Sequence, residues 1–101
     1  KSSNILIIGL SYKAGIADMR NSINFKIFKF LFENKVNVQG FDPYVEENIK
    51  TKYQLIEKIN KKNNYNVILF LSKHNRFKKE YKKLNTKFNR SKILDPFEYY
   101  K

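Results

Sequence analysis

Two short, unbroken apolar runs constrain the fold of this chain more than any other feature. The run ILII lies at 5–8 and the run VILFL at 67–71. A strand reads as a continuous apolar run when both faces of its sheet are covered, as in the parallel sheets of α/β proteins. Both runs are far shorter than the ~20 apolar residues that a membrane-spanning helix needs. They therefore predict strands buried inside a layered domain.

The segment after Ser22 carries the clearest helical pattern. Ser22 is a candidate N-cap, because its hydroxyl can accept a hydrogen bond from a backbone N–H of the first turn. The pattern INFKIFKFLFEN predicts a helix over 23–34 with apolar residues at i, i+4, i+7 and i+8. Its buried face is predicted to contain Ile23, Ile27, Phe30 and Leu31, and its solvent face Asn24, Lys26, Lys29 and Glu33.

Further strands and helices alternate along the rest of the chain. VNVQGF at 36–41 predicts a strand that ends at Asp42-Pro43, because proline has no N–H to donate. The next apolar positions predict a short helix that contains Tyr53, Leu55, Ile56 and Ile59. HNRFKKEYKKL at 74–84 predicts a helix with Phe77, Tyr81 and Leu84 on its inner face. SKILD at 91–95 predicts the last strand.

The resulting order, β-α-β-α-β-α-β, predicts an α/β fold. We expect a three-layer Rossmann-like domain with a short parallel sheet of about four strands and helices on both faces. Ligands bind such sheets at the carboxyl ends of the strands, near the point where the strand order reverses. Gly9–Leu10, Asp42 and residues 72–74 should therefore meet at one edge. The length of 101 residues suits one domain, 1–101.

The composition excludes several kinds of chemistry. The chain has no cysteine, so it can form no disulfide, thiolate zinc site or cysteine nucleophile. Its one histidine, His74, cannot form a multi-histidine metal site. A single histidine after a strand is more typical of a cap or a solvent contact than of a catalyst. We therefore predict no catalytic residue and no metal ligand within this chain.

The formal net charge of +12 has two interpretations. One is a polyanion partner, whose counterions the lysines would displace. The other is a lysine-rich solvated surface, which is favoured because lysines outnumber arginines eighteen to three and the arginine fork suits phosphate better. The lysines that would serve the first interpretation are Lys61, Lys62, Lys78, Lys79, Lys82 and Lys83.

The loop after the first strand, SYKAGIADMRNS at 11–22, is unusually rich in charge and aromatic character for a connector. It lacks the GxGxxG turn that seats a dinucleotide pyrophosphate, so binding of NAD by this chain alone is not expected. Lys13 and Arg20 could clamp a phosphorylated ligand beside the ring of Tyr12. Alternatively, Asp18 and Arg20 form an ion pair that only shapes the loop. The local chemistry leaves both interpretations open.

The order of these motifs resembles the C-terminal domain of the UDP-glucose/GDP-mannose dehydrogenase family, whose members oxidise the C6 hydroxyl of a nucleotide sugar to a carboxylate with NAD. The resemblance rests on ILIIGLSYK at 5–13, DMRNS at 18–22, VNVQGFDPY at 36–44 and YNVILFLSKHNRF at 65–77, and it covers nearly the whole chain. It implies that Tyr12 and Lys13 contact the nucleotide sugar, most simply a UDP-sugar, and favours the clamp. It implies that Arg20 reaches toward NAD and that Asp18 and Ser22 shape the loop.

The resemblance also implies a larger protein. The family's catalytic cysteine and its NAD-binding glycine motif lie in N-terminal and central domains that this chain lacks, and the first residue is Lys1 rather than Met. We therefore expect a substrate-binding domain of a cytoplasmic, homodimeric dehydrogenase that makes polysaccharide precursors, without nucleic acid or membrane partners. NAD would be bound mainly by the absent N-terminal domain.

One motif departs from the family pattern. The family commonly ends its last strand with Asp-Gly-Arg, whose arginine contacts the substrate, whereas this chain has Asp95-Pro96-Phe97. Two alternatives to the dehydrogenase domain therefore stay open. They are a standalone basic module that binds nucleic acid or acidic partners, and a degenerate remnant without catalytic function.

Overall fold

The computed structural model describes residues 4–10, 23–59, 65–72, 75–87, 93–96 and 100. Within these residues the chain forms four strands and three helices in strict alternation. In chain order they are β1 (Ile5–Ile8), α1 (Ile23–Glu33), β2 (Val38–Phe41), α2 (Glu47–Lys52), β3 (Val67–Phe70), α3 (Asn75–Lys87) and β4 (Ile93–Leu94).

The four strands form one parallel sheet in the order β2-β1-β3-β4. Ile5 on β1 is level with Val38 on β2 and with Val67 on β3, so the three strands start together. The chain leaves β1 toward β2 on one side and later continues from β3 to β4 on the other, so the strand order reverses between β1 and β3. The predicted three-layer Rossmann-like α/β fold is confirmed.

Successive side chains of each strand point to opposite faces of the sheet, and a separate hydrophobic core lies on each face. On one face, Leu6, Ile8 and Phe70 pack with Phe77 and Leu84 of α3. This confirms the predicted inner face of α3, on which Tyr81 is half-buried and stacks on Tyr100. The opposite face carries α1 and α2, and its buried core consists of Ile7, Leu10, Phe28, Val45, Tyr53, Leu55 and Leu71.

The predicted buried face of α1 is wrong at three of its four residues; the fourth, Leu31, is partly buried and packs against the core on this face of the sheet. Ile23, Ile27 and Phe30 are exposed, whereas Asn24 and Phe28 are buried. The amide of Asn24 donates to the carbonyl oxygen of Leu71 (2.9 Å), which turns this side of the helix toward the sheet. Seven of the eleven residues of α1 are apolar, and they occupy more than one face of the helix. Periodicity alone therefore could not show which apolar face packs on the sheet.

The predicted position of the second helix is also wrong. α2 ends at Lys52, and the residues from Tyr53 to Ile59 turn back toward the sheet. Gln54 has a left-handed backbone with a φ of 55°, which interrupts the helix, and the N–H of Ile56 donates to the carbonyl oxygen of Gly40 on β2 (2.9 Å). The apolar residues of this segment are therefore buried by a turn rather than by a helix.

Within the described residues, each helix is too short or too polar to cross a membrane.

Two phenylalanines of α1 provide a matched test of this packing. Phe28 is fully buried and Phe30 is 65% exposed. Phe28→Ala should lower the free energy of unfolding by about 3–5 kcal/mol, because it leaves a cavity in the core. Phe30→Ala should change it by no more than about 0.5 kcal/mol, as at other exposed positions. Chemical denaturation of both variants checks this, and equal losses would contradict the observed orientation of α1.

Candidate functional site

The carboxyl ends of the four parallel strands lie at one edge of the sheet, which we call the rim. The chain leaves β1 through Gly9–Leu10, β2 through Asp42, β3 through Leu71–Ser72 and β4 through Asp95. The sequence analysis placed Gly9–Leu10, Asp42 and Ser72 at one such edge, and the sheet topology confirms it. The loop at 11–22 starts from β1, next to the reversal of strand order where α/β sheets bind ligands.

The residues predicted to contact ligands lie outside the described residues. These are Tyr12, Lys13 and Arg20; Asp18, Ser22 and His74, for which we predicted structural or solvent roles, also lie outside them. The structure does describe the two ends of the loop that carries most of them, at Leu10 and at Ile23. How these ends are held determines where the loop can lie.

A buried carboxylate holds the first end of the loop. One oxygen of Asp42 accepts a hydrogen bond from the N–H of Leu10 (2.8 Å), and the other accepts one from the N–H of Tyr44 (3.0 Å). The N–H of Gly9 donates to the carbonyl oxygen of Phe41 (3.0 Å), which continues the pairing of β1 with β2 past the strand. Hydrogen bonds from backbone N–H groups to a carboxylate are charge-assisted and strong. Asp42 therefore has a structural role at the rim.

A network of hydrogen bonds among side chains and backbone groups holds the second end. The amide of Asn24, in the first turn of α1, donates to the carbonyl oxygen of Leu71 (2.9 Å) and to the hydroxyl of Ser72 (3.2 Å). The hydroxyl of Tyr100 donates to the carbonyl oxygen of Ser72, and the N–H of Tyr100 donates to a carboxylate oxygen of Asp95 (2.7 Å). This network joins the start of α1 to the ends of β3 and β4.

Gly9 allows β1 and β3 to approach each other at the rim. Its φ is 95°, in the region that glycine favours. A Cβ at this position would lie 2.5 Å from the Cβ of Ser72, closer than any van der Waals contact allows. The space beside Gly9 is thus filled by Ser72. A phosphate group cannot occupy it, which agrees with the absence of a GxGxxG turn in the sequence.

A groove opens beside the end of β2. Its volume is about 320 Å³, and it is lined by Asp42, Pro43, Glu47, Lys50, Ile56, Glu57 and Arg76. The guanidinium of Arg76 lies 5.7 Å from the centre of the Phe41 ring, within the range of a cation–π contact. Cations and carboxylates alternate along the walls, so the groove has no single sign of charge. Among the described residues no group of acidic, histidine or cysteine side chains could hold a metal ion.

Sequence reasoning missed Asn24, Tyr100 and Arg76 as residues of the rim. Asn24 was assigned to solvent, although an amide among apolar neighbours at a helix start can indicate a buried polar contact. Tyr100 lies outside every predicted strand and helix, and only its stacking on Tyr81 and its bond to Ser72 reveal its place. Arg76 lies shortly after the end of the third predicted strand. That position near a strand end could have marked it as a residue of the rim.

A four-stranded parallel sheet in the order β2-β1-β3-β4, with helices on both faces, defines a Rossmann-like α/β domain. Residues 6–101 match the profile of the UDP-glucose/GDP-mannose dehydrogenase family, UDP binding domain. The chain therefore belongs to this family, as the sequence resemblance indicated.

Individual relatives resemble a part of the chain. A UDP-glucose 6-dehydrogenase of Rickettsia felis is 46% identical over 50 residues, which are 50% of this chain and 11% of the relative. The enzymes of the same name from Rickettsia conorii and Rickettsia bellii are 48% identical over 50 residues and 41% identical over 54 residues. These matches cover 50% and 54% of this chain and 12% of each relative. The match thus spans about one-ninth of the relatives' length.

The contact between Gly9 and Ser72 generates a test. Gly9→Ala should lower the free energy of unfolding by at least about 2 kcal/mol, because the new methyl group is strained at positive φ and overlaps Ser72. In a Ser72→Gly background the same change should cost at least about 1 kcal/mol less, because the clashing side chain is gone. Urea denaturation of the four proteins measures this coupling. Strictly additive effects would show that the side chain of Ser72 is not what a methyl group at position 9 meets.

Proposed function

We propose that this chain is the C-terminal, nucleotide-sugar-binding domain of an NAD-dependent nucleotide-sugar 6-dehydrogenase similar to UDP-glucose 6-dehydrogenase. The intact enzyme would oxidise the C6 hydroxyl of the sugar to a carboxylate and so supply polysaccharide precursors. The family match over 6–101 and the names of the Rickettsia relatives support this proposal. N-terminal NAD-binding and central domains would complete it.

The observation that carries the proposal is the way the rim holds both ends of the loop at 11–22. Asp42 holds its start at Leu10, and the bond from Asn24 to Leu71 holds its end. A loop with anchored ends has fewer conformations to lose when a ligand binds, so less binding free energy is spent on ordering it. Such anchoring suits a loop that presents a small number of side chains to one ligand.

Within this proposal the loop residues have distinct roles. Lys13 makes a charge-assisted hydrogen bond to the diphosphate of the nucleotide sugar. The ring of Tyr12 stacks on the nucleoside, as aromatic side chains do on bases. Arg20, oriented by Asp18, extends toward NAD across the cleft.

Ser72 fills the space beside Gly9, and the sequence has no GxGxxG turn to seat a pyrophosphate. We therefore assign the cofactor to the other domains, with Arg20 as this chain's contribution. The chain has no thiol, so the catalytic cysteine of the family would also come from another domain. Its part in the reaction is to bind and orient the substrate.

The turn after β4 makes substrate binding here different from the common family pattern. Asp95 accepts a hydrogen bond from the N–H of Tyr100, and the arginine that often follows is replaced by Phe97. The diphosphate would then depend more strongly on Lys13.

This dependence can be tested by calorimetric titration of the chain with UDP-glucose. Lys13→Ala should weaken binding by about 10- to 100-fold, the value of one or two hydrogen bonds to a charged group. Lys82→Ala removes the same charge from the exposed side of α3 and should leave the affinity within about twofold.

Other outcomes would favour the alternatives. Equal losses in the two variants, together with binding of an oligonucleotide that falls steeply as salt is raised, would indicate the basic module. Binding of neither UDP-glucose nor an oligonucleotide would indicate a remnant without ligand function. Of the lysines invoked for the basic module, Lys78, Lys79, Lys82 and Lys83 are exposed on α3, and Lys61 and Lys62 lie outside the described residues.

A further inference from the structure

Ser72, at the end of β3, contacts three separate segments of the rim. Its side chain lies against Gly9, where a Cβ would come within 2.5 Å of the Ser72 Cβ. Its hydroxyl accepts a hydrogen bond from the amide of Asn24 (3.2 Å), and its carbonyl oxygen accepts one from the hydroxyl of Tyr100. All of these contacts are buried. The position of Ser72 therefore fixes Gly9 and Asn24 relative to each other.

Gly9 and Asn24 lie beside the two ends of the loop at 11–22. Asp42 holds the start of this loop from the side of β2. On the side of β3, Ser72 contacts the residues next to both ends. Because a close-packed interior transmits small displacements instead of absorbing them, a shift of Ser72 changes the spacing of the two ends.

Tyr100 is itself held on several sides where it meets Ser72, from which it is 28 residues away in the chain. Its N–H donates to a carboxylate oxygen of Asp95 (2.7 Å). Its ring packs edge-on against Phe70 and stacks on Tyr81, with centroids 5.4 and 5.6 Å away. Backbone and ring are thus fixed, and the hydroxyl is directed at one carbonyl oxygen. Buried polar groups that are joined and satisfied in this way make a site rigid.

The ring and the hydroxyl of Tyr100 make different contributions. The ring belongs to the hydrophobic core under α3, and a phenylalanine would fill the same space. The hydroxyl adds no apolar contact to that core, and it bonds to the rim at Ser72. A buried tyrosine hydroxyl needs such a partner, and here the partner is the residue that spaces the loop ends.

We propose that Tyr100 is a positioning residue for the nucleotide sugar. Its hydroxyl holds Ser72, and Ser72 holds the residues at both ends of the loop that binds the ligand. Tyr100 acts through Ser72 and Asn24 rather than by contact with the ligand. This role rests on the proposed function of the loop at 11–22, and it extends the substrate-binding machinery to a residue far from the loop in the sequence.

Two substitutions of tyrosine by phenylalanine provide a matched test. Tyr65 precedes β3, at the opposite end of the strand from Ser72, and its hydroxyl donates to the side-chain oxygen of Gln39 on β2 (2.7 Å). Tyr100→Phe and Tyr65→Phe each remove one hydroxyl hydrogen bond and keep the ring, so both should lower the unfolding midpoint by a similar amount.

Calorimetric titration with UDP-glucose should separate the two variants. Tyr100→Phe should weaken binding by about three- to tenfold, because the loop ends are less well held and more binding free energy is spent on ordering them. Tyr65→Phe should leave the affinity within about twofold. Tyr100→Phe and Asn24→Ala should weaken binding less than additively when combined, since both residues act on Ser72.

The side-chain amide of Asn24 reports on the positioning without any ligand. Its ¹⁵N NMR signals should move in Tyr100→Phe, because Ser72 is one of its acceptors, and should stay in place in Tyr65→Phe. A residue that only stabilises the core would lower the unfolding midpoint and change neither these signals nor the affinity.

The parent chain distinguishes the two ways in which this can fail. If the parent chain does not bind UDP-glucose, the proposed function is overturned and the role of Tyr100 with it. If the parent binds, equal affinities of parent and Tyr100→Phe, or equal losses in Tyr100→Phe and Tyr65→Phe, overturn the positioning role alone. Unmoved Asn24 signals in Tyr100→Phe overturn it as well. So does a Tyr100→Phe chain that does not fold, because the hydroxyl would then support the whole domain.

Discussion

The central strand β1 is buried on both faces, and the positions of the other elements follow from it. Leu6 and Ile8 point into the core under α3, and Ile7 points into the core under α1. Because β1 pairs with β2 on one side and β3 on the other, a single apolar run joins both cores and both halves of the sheet. Burial on two faces requires side chains without polar groups, which explains the run ILII.

The backbone continues from β1 into the rim, where hydrogen bonds replace apolar packing. Past Ile8 the backbone must turn away from the sheet, and its N–H groups need new partners. Asp42 and the carbonyl oxygen of Phe41 provide them for Leu10 and Gly9. On the neighbouring strand, Asn24 and Tyr100 satisfy groups of Leu71 and Ser72. None of the buried side-chain nitrogen and oxygen atoms that the structure describes lacks a hydrogen-bond partner. These hydrogen bonds fix the backbone of the rim on both sides of the segment that we propose binds the ligand.

The two faces of the sheet are covered to different degrees. α3 covers one face with Phe77 and Leu84, and Tyr100 extends this core toward the rim. On the other face the aromatic side chains gather around Tyr53, and Ile23, Ile27, Phe30 and Leu94 stay exposed to solvent.

The sequence alone determined the order of elements, the parallel sheet and the inner face of α3, because each depends on local periodicity and on how far the chain must travel between strands. It also determined the family, and with it the proposed roles of Tyr12, Lys13 and Arg20. It could not determine which side of α1 is buried, because apolar residues occupy most of that helix and the hydrogen bond from Asn24 to Leu71 selects one side. Nor could it place Tyr100 against Ser72 or the turn after α2 against Gly40. Those choices depend on contacts between residues far apart in the chain, and only the tertiary structure brings such residues together.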